Sequence, residues 1–408
     1  MSHPVYIPIE KNFTQTQVEM KDFLKAKNSI SIGIPKESFY HENRVGLVPH
    51  SVHNLVARGH QVLVESGAGE KSNFSDHNYS EAGAQICYSR DQVFEANVIL
   101  KVSPPSLEEL GFFKTNQLLI SPLQLPVIEP EYIQTLRQKR VTSLAMEYMQ
   151  AEDNSFPLVR VMSEIAGLAV IHTAAELLTN TNKGRGVLLG GVSGVPPAKV
   201  LILGAGVVAQ FATRAALALG ASVRIFDDEI HKLTRIQSRV GIPLYTSSLN
   251  PVSLLQQLVS ADVVIGAIHS KIGRTPIVVS EEMVLQMKPG SVIIDVSIDQ
   301  GGCFETSQLT THEQPTRVVH GVIHYGVPNI ASKVSRTASI AISNIMTPIL
   351  QRAGDAGSIE EILYQYRGLR NGIYTYKGCL TNEYLSRRFG IKYTCLLYTS
   401  DAADERSS

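Results

Sequence analysis

Residues 199–228 read KVLILGAGVVAQFATRAALALGASVRIFDD: an apolar strand, a turn built on Gly204-Ala205-Gly206, a helical stretch, and a second strand ending in acid. That order constrains the fold more than any other feature of the chain. A strand that enters a helix through two glycines is the opening unit of a doubly wound parallel sheet, where Gly204 permits the tight turn and Gly206 lets the backbone approach a pyrophosphate. The phosphate charge settles at the N-terminus of the helix that begins with Val207. Ala209 takes the third position, where a small residue lets helix pack closely on strand. Asp227 follows Gly204 by 23 residues, at the end of the 223–226 strand, where a carboxylate accepts hydrogen bonds from a ribose diol and repels a 2′-phosphate. The expected cofactor is therefore NAD, with Arg224 and Lys232 leaving NADP open.

At 408 residues the chain exceeds the size at which one core stops growing, so two domains are expected. Lys and Arg number 37, as do Asp and Glu, which leaves no global charge to draw the chain to nucleic acid or membrane. Cys87, Cys303, Cys379 and Cys395 show no metal-ligand spacing and read as reduced thiols. No secretory signal is read at the N-terminus, and no uninterrupted apolar run reaches the length of a membrane span. A cytoplasmic protein acting on small molecules is the expectation.

Short apolar strands at 30–34, 62–65, 98–102, 117–121 and 141–145 alternate with helical or polar stretches, and a second series runs from near Ser163 to about residue 320. The fold class is α/β, with two Rossmann-like doubly wound parallel-sheet domains and a cleft between them. Residues 1–28 form an extension with one short amphipathic helix, 29–156 with 334–394 a discontinuous substrate domain, and 157–333 the NAD-binding domain.

Several longer motifs stand in order along the chain: GIPKE (33–37), ENRVGLVP (42–49), ESGAGE (65–70), MSEIAG (162–167), GRGVLLGGVSGVPPAKVLILGAG (184–206), IIDVSIDQGGCFETS (293–307) and HYGVPN (324–329). In these, over roughly residues 29–390, the chain resembles the alanine dehydrogenases, whose superfamily includes the nicotinamide-binding subunit of transhydrogenase. The resemblance implies oxidative deamination of L-alanine with NAD and water to pyruvate, ammonium and NADH. It also implies homo-oligomers, dimers or hexamers, of two-domain subunits with the active site in the cleft.

Hydride transfer from an amino acid requires a cation for the carboxylate, a base, and a nicotinamide held near the α-carbon. Arg44, in ENRVGLVP, matches the family arginine that grips the carboxylate, for which a planar guanidinium is suited. Asp299 follows the strand 292–298, outside its carboxyl end where ligands bind in open α/β sheets. It matches the family aspartate that contacts the nicotinamide ribose and substrate and takes part in proton transfer; a turn-forming role before Gly301-Gly302 is the alternative. Cys303 reads as packing, with no base beside it.

The first domain departs from the family pattern. Alanine dehydrogenases typically carry Lys-Val-Lys-Glu-Pro, whose second lysine is catalytic, where this chain has Lys101-Val102-Ser103-Pro104-Pro105. Their catalytic histidine is replaced by Gln124. Neither Ser103 nor Gln124 exchanges protons near neutral pH. Lys101 and Ser103, two apart on an extended segment, project to one face. Lys101 is therefore expected to take over carboxylate binding or base chemistry, with Gln124 hydrogen-bonding the substrate; the alternative for Lys101 is a strand-closing ion pair. Further cofactor contacts carried over from the family are Ser163, Lys232, Ile268, Val327 and Asn329. The losses at 103 and 124 keep two other readings open: a transhydrogenase-like NAD(H)-binding module, and an NAD-binding regulator without turnover. Finally, CLLYTSDAADE (395–405) resembles the translation of a sequencing adapter, so 395–408 are expected to be non-native.

Overall fold

Runs such as VIL at Val98–Leu100 and VVIG at Val263–Gly266 are buried at every position, and a strand hides both faces only in a sheet covered by helices on both sides. The computed structural model describes residues 28–39, 42–125, 128–270, 274–356, 361–363 and 366–396, and it contains two such sheets. Residues 1–27 of the expected extension and the adapter-like tail beyond residue 396 lie outside the described residues.

In the first sheet β1 (Ser31–Ile34), β2 (Gln61–Glu65), β3 (Gln85–Cys87), β4 (Val98–Leu100), β5 (Leu118–Ser121) and β6 (Thr142–Ala145) pair in parallel, in the order β3-β2-β1-β4-β5-β6. The second sheet repeats the plan. There β7 (Lys199–Leu203), β8 (Ser222–Phe226), β9 (Tyr245–Ser247), β10 (Val263–Gly266), β11 (Val292–Asp295) and β13 (Val322–Tyr325) run parallel in the order β9-β8-β7-β10-β11-β13, with β12 (Thr316–Val319) antiparallel at the edge. A hairpin of β14 (Ile373–Tyr376) and β15 (Cys379–Leu380) returns to the first sheet antiparallel to β6. Parallel pairing dominates as expected, but both sheets are mixed at one edge. Fully buried side chains such as Ile32, Ile99, Ile202 and Ile265 each contribute about 1.5–3 kcal/mol of apolar burial.

Strand order reverses between β1 and β4 in the first sheet and between β7 and β10 in the second, which marks the ligand crevice of each domain. Gly204 lies at the second of these points with φ 106°, and a Cβ there would stand 2.4 Å from the Ala267 carbonyl oxygen. Only glycine fits.

Two long helices pass between the sheets. Pro157–Leu177 packs against Val207–Ala218 so closely that a Cβ on Gly167 would lie 2.5 Å from the Val208 oxygen. By length and composition it could cross a membrane, yet half of its apolar window is buried in the protein, as a core helix requires. Ser335–Ala356 leads back to the first sheet and, with the turn before it, stitches down the loop that carries Arg44. Ser332, Ser339 and Ser343 accept the backbone N–H groups of Asn43, Val45 and Val48 at 3.0, 3.0 and 3.1 Å.

Candidate active site

At the first switch point Glu37 follows β1 and Lys101 follows β4. Lys101 Nζ donates to Glu37 Oε2 at 2.8 Å and Glu109 Oε1 at 3.1 Å, and its side chain is fully buried. Glu37 also accepts the Val102 N–H at 2.7 Å and the Ser103 hydroxyl. Lys101 and Ser103 do share a face, as their spacing requires, but what they share is Glu37. Burial alone would lower the Lys101 pKa; Glu37 and Glu109 outweigh it and hold the ammonium above its ordinary range. With its ammonium charged, fully buried and two of its three N–H groups given to carboxylates, Lys101 stands in this structure in the ion pair that was its alternative reading, and it has no lone pair for base chemistry. Lys101→Met would leave two buried carboxylates without the cation between them, at a cost of about 3–5 kcal/mol at neutral pH. Urea unfolding should show that loss shrinking as pH falls and the carboxylates protonate; a cost under about 1 kcal/mol would refute the assignment.

Arg44 enters the cleft from the neighbouring loop, its side chain 10% exposed. Its Nε and Nη2 donate to Glu42 Oε1 and Oε2, each at 2.7 Å, a bidentate fork. The remaining edge has only long contacts, from Nη1 to Met162 Sδ and from Nη2 to the Val102 oxygen, both at 3.4 Å. Across the cleft Asp299 sits in the short helix Val296–Gln300 that ends β11. Asp295 builds that corner: it accepts the N–H groups of Ser297 and Cys303, each at 3.0 Å, and the Ser307 hydroxyl at 2.5 Å. Asp299 is reached by water, so a ligand can meet it, yet protein crowds it enough that desolvation pushes its pKa up to about 6. The Asn329 N–H and the Arg44 charge oppose the push and Asp295 adds to it. The structure thus brings Arg44 and Asp299 within electrostatic reach from opposite domains.

The other expected residues fall around these two. A Cβ on Gly206 would point into open space, leaving the cradle over the N-terminus of Val207–Ala218 free for a phosphate. Asp227 Oδ2 accepts the Ala205 N–H at 2.7 Å and Oδ1 the Glu229 N–H at 2.8 Å, so each oxygen keeps a lone pair for a ribose hydroxyl. A dinucleotide fits this donor set. Lys232 is engaged by Glu229 at 2.6 Å, Ile268 follows β10, and Val327 is buried in the core. Arg224 lies over the Tyr245 ring, 5.4 Å from its centroid, on the next strand. Ser163 is mid-helix, donating to the Val159 oxygen at 2.7 Å. Gln124 is exposed with φ 49°, and the N–H groups of Leu123 and Gln124 go to Glu147 Oε1 at 2.8 and 3.2 Å. Burial raises the Glu147 pKa.

Within HYGVPN, His324 and Tyr325 end β13, and His324 is tied to Thr306 Oγ1 at 2.8 Å and Val322 O at 3.0 Å. Cys303 does have a carboxylate beside it, Asp295 Oδ1 at 3.7 Å, but the thiol is fully buried and burial raises its pKa well above the usual value, so it packs. Glu37, Glu42, Glu109 and Glu147 hold Lys101, Ser103, Arg44 and the Gln124 turn in place, and of these only Glu37 in GIPKE and Glu42 in ENRVGLVP carry a signal in the sequence.

Two doubly wound sheets, each with a crevice at its switch point and the second with a glycine turn and a ribose-type acid, define a two-domain dinucleotide-binding protein. The chain belongs to the alanine dehydrogenase/PNT family: the N-terminal domain of that family matches residues 33–166 and the C-terminal domain residues 169–383. It is 41% identical over 365 residues to alanine dehydrogenase 2 of Staphylococcus aureus (strain USA300), covering 89% of this chain and 98% of that one. Alanine dehydrogenase of Staphylococcus haemolyticus is 41% identical over 366 residues, 90% of this chain and 98% of its own. A solved L-alanine dehydrogenase superposes with TM-score 0.83 at 37% identity, covering 88% of this chain and 99% of that chain. The transhydrogenase from Sinorhizobium meliloti superposes at 0.74 with 25% identity, over 87% and 99% of the two chains.

Proposed function

We propose that this chain is an NAD-dependent alanine dehydrogenase, with Arg44 holding the substrate carboxylate and Asp299 handling the proton. The observation that carries the assignment of roles is the hydrogen-bonded bridge from Arg44 through Glu42 to Asn329, which ties the loop after β1 to the loop after β13, with Arg44 and Asp299 in electrostatic reach of one another. Gly204, Gly206 and Val207 would cradle the pyrophosphate of NAD, Asp227 would take its ribose, and Lys232, Ile268, Val327, Ser163 and Asn329 would complete its surroundings; the bound group would supply the acceptor for the hydride of the α-carbon. The Nη edge of Arg44, held here only by the Met162 sulfur and the Val102 oxygen at 3.4 Å, turns to the carboxylate, and Gln124 hydrogen-bonds the substrate. Asp299, ionised above about pH 6, accepts the proton released as the amine becomes an imine and water attacks it. Pyruvate and ammonium leave. Identity of 41% to alanine dehydrogenases, against 25% to the solved transhydrogenase, favours this reading over a transhydrogenase-like module.

The domain division at 156/157 and 333/334 is part of the same reading, supported by the two sheets and the helices that begin at Pro157 and Ser335. So are a cytoplasmic location and a homo-oligomer. Leu168, Leu188, Val192, Val195 and Leu219 leave 43–67% of their surfaces exposed on the second domain, apolar area that a further copy of the chain would cover. The test is alanine-dependent NADH formation at 340 nm and alkaline pH. Wild-type protein is expected to turn over, and Arg44→Ala to lose about 10²–10³ in kcat/KM through loss of a charged, bidentate contact. No turnover by wild type that binds NADH would overturn the reading in favour of a sensor or transhydrogenase module.

A further inference from the structure

Glu42 lies two residues before Arg44, is 3% exposed, and accepts hydrogen bonds on both oxygens. Oε1 takes the Arg44 backbone N–H at 2.9 Å and Nε at 2.7 Å; Oε2 takes Arg44 Nη2 at 2.7 Å and the Asn329 side-chain amide at 3.0 Å. Three of these bonds come from its own loop. The fourth crosses to the dinucleotide side, 287 residues away in sequence, where the Ser332 hydroxyl adds a longer contact to Oε1 at 3.5 Å. Asn329 is in the left-handed region, φ 54°, and its backbone N–H lies close enough to the Asp299 carboxyl to oppose the rise of its pKa. One residue therefore bonds Glu42 with its side chain and faces Asp299 with its backbone. Arg44, Glu42 and Asn329 form a hydrogen-bonded line from one domain to the other.

We propose that Glu42 is a positioning residue that couples the two ends of the cleft, so that a dinucleotide ordering Asn329 also orders Arg44 and tightens the site for a carboxylate substrate. The proposal rests on the reading of Arg44 and Asn329 given above. A carboxylate with both oxygens shared cannot turn without moving the guanidinium and the amide together, and that shared displacement is a coupling free energy between two ligands. A plain buried ion pair would hold Arg44 equally well with or without dinucleotide. Coupling separates the two roles.

The experiment measures pyruvate affinity of the full chain with and without saturating NADH, in ammonium-free buffer where no turnover occurs, following protein and NADH fluorescence. NADH is expected to tighten pyruvate binding about tenfold in wild type. Asn329→Gly retains the left-handed backbone, which glycine adopts freely, and deletes the amide. It is expected to bring the factor below about threefold at NADH concentrations that saturate the variant. Glu42→Gln turns one shared oxygen into a donor facing donors, and should lose both the coupling and much of the pyruvate affinity. Wild-type coupling near unity, or full coupling retained in Asn329→Gly, would overturn the proposal. If NADH or pyruvate does not bind at all, the functional reading itself fails, an outcome the same titrations distinguish.

Discussion

Asp299→Asn is expected to lower kcat for alanine oxidation by about 10²–10⁴ while NADH affinity changes by only a few-fold, because the amide retains hydrogen-bonding capacity but cannot take a proton. The pH dependence is the sharper signature. Desolvation pushes the Asp299 pKa up to about 6 against the Asn329 N–H and the Arg44 charge, so the base form is lost, and wild-type oxidation falls, as pH drops through about 6. That limb should be missing from the residual activity of the variant. Stability moves the other way. A carboxyl whose folded pKa exceeds its ordinary value of 3.8 stabilises the fold below that value, and the contribution is lost as pH rises through about 6. At pH 7.5 the ionised group is thus a burden, reduced by the water that reaches it, and Asp299→Asn should melt no lower than wild type. Wild-type turnover in the variant would remove Asp299 from the chemistry; an early melting transition would reduce the loss of activity to a folding defect.

The contrast between Asp299 and Lys101 shows where sequence reading stops. Both were singled out as chemistry-bearing residues at strand ends, and the strands themselves were legible because runs such as KVLIL and VIID are apolar and punctuated by Gly or Asp. The sequence also showed that Lys101 and Ser103 share a face. It did not show what stands opposite, since Glu37 is 64 residues from Lys101. Ion pairs of that separation leave no periodic trace. Glu42 was closer to legible: it sits two positions before Arg44, and an acid at that spacing in a loop can fold back on the guanidinium, as its Oε1 does. Its bond to Asn329 lies beyond local reading. For the fold, β3 and β9 escaped notice because they are three-residue edge strands with polar ends, QIC and YTS, which carry too little alternation to register. The β14–β15 hairpin escaped because it pairs with β6 across more than two hundred residues. The doubly wound order of the sheets followed from the alternation of strand and helix; their antiparallel edges did not.

Positions 103 and 124 test how far this chain departs from other alanine dehydrogenases. Restoring the family lysine and histidine together, Ser103→Lys with Gln124→His, is expected to raise kcat/KM for pyruvate and ammonium by about 10–10³, the range one or two added acid–base and ionic contacts supply. The backbone allows both changes. Gln124 lies at φ 49°, a region in which histidine is tolerated better than most side chains, and its N–H is fixed by Glu147 whatever the side chain. At 103 the present hydroxyl donates to Glu37, a carboxyl that burial pushes above the ordinary range even with Lys101 beside it. An ammonium there would give Glu37 a further cation and leave donors over for the substrate carboxylate, sharing a load that Arg44 now carries. The histidine should also add a limb to the pH profile near its ordinary pKa of about 6.5. Each single variant should gain less than the pair, since the carboxylate contact and the proton step are successive demands on one transition state. A folded double variant with unchanged or lower kcat/KM would mean that Asp299 and Arg44 already meet those demands here, through a proton path in which Ser103 and Gln124 are not losses at all.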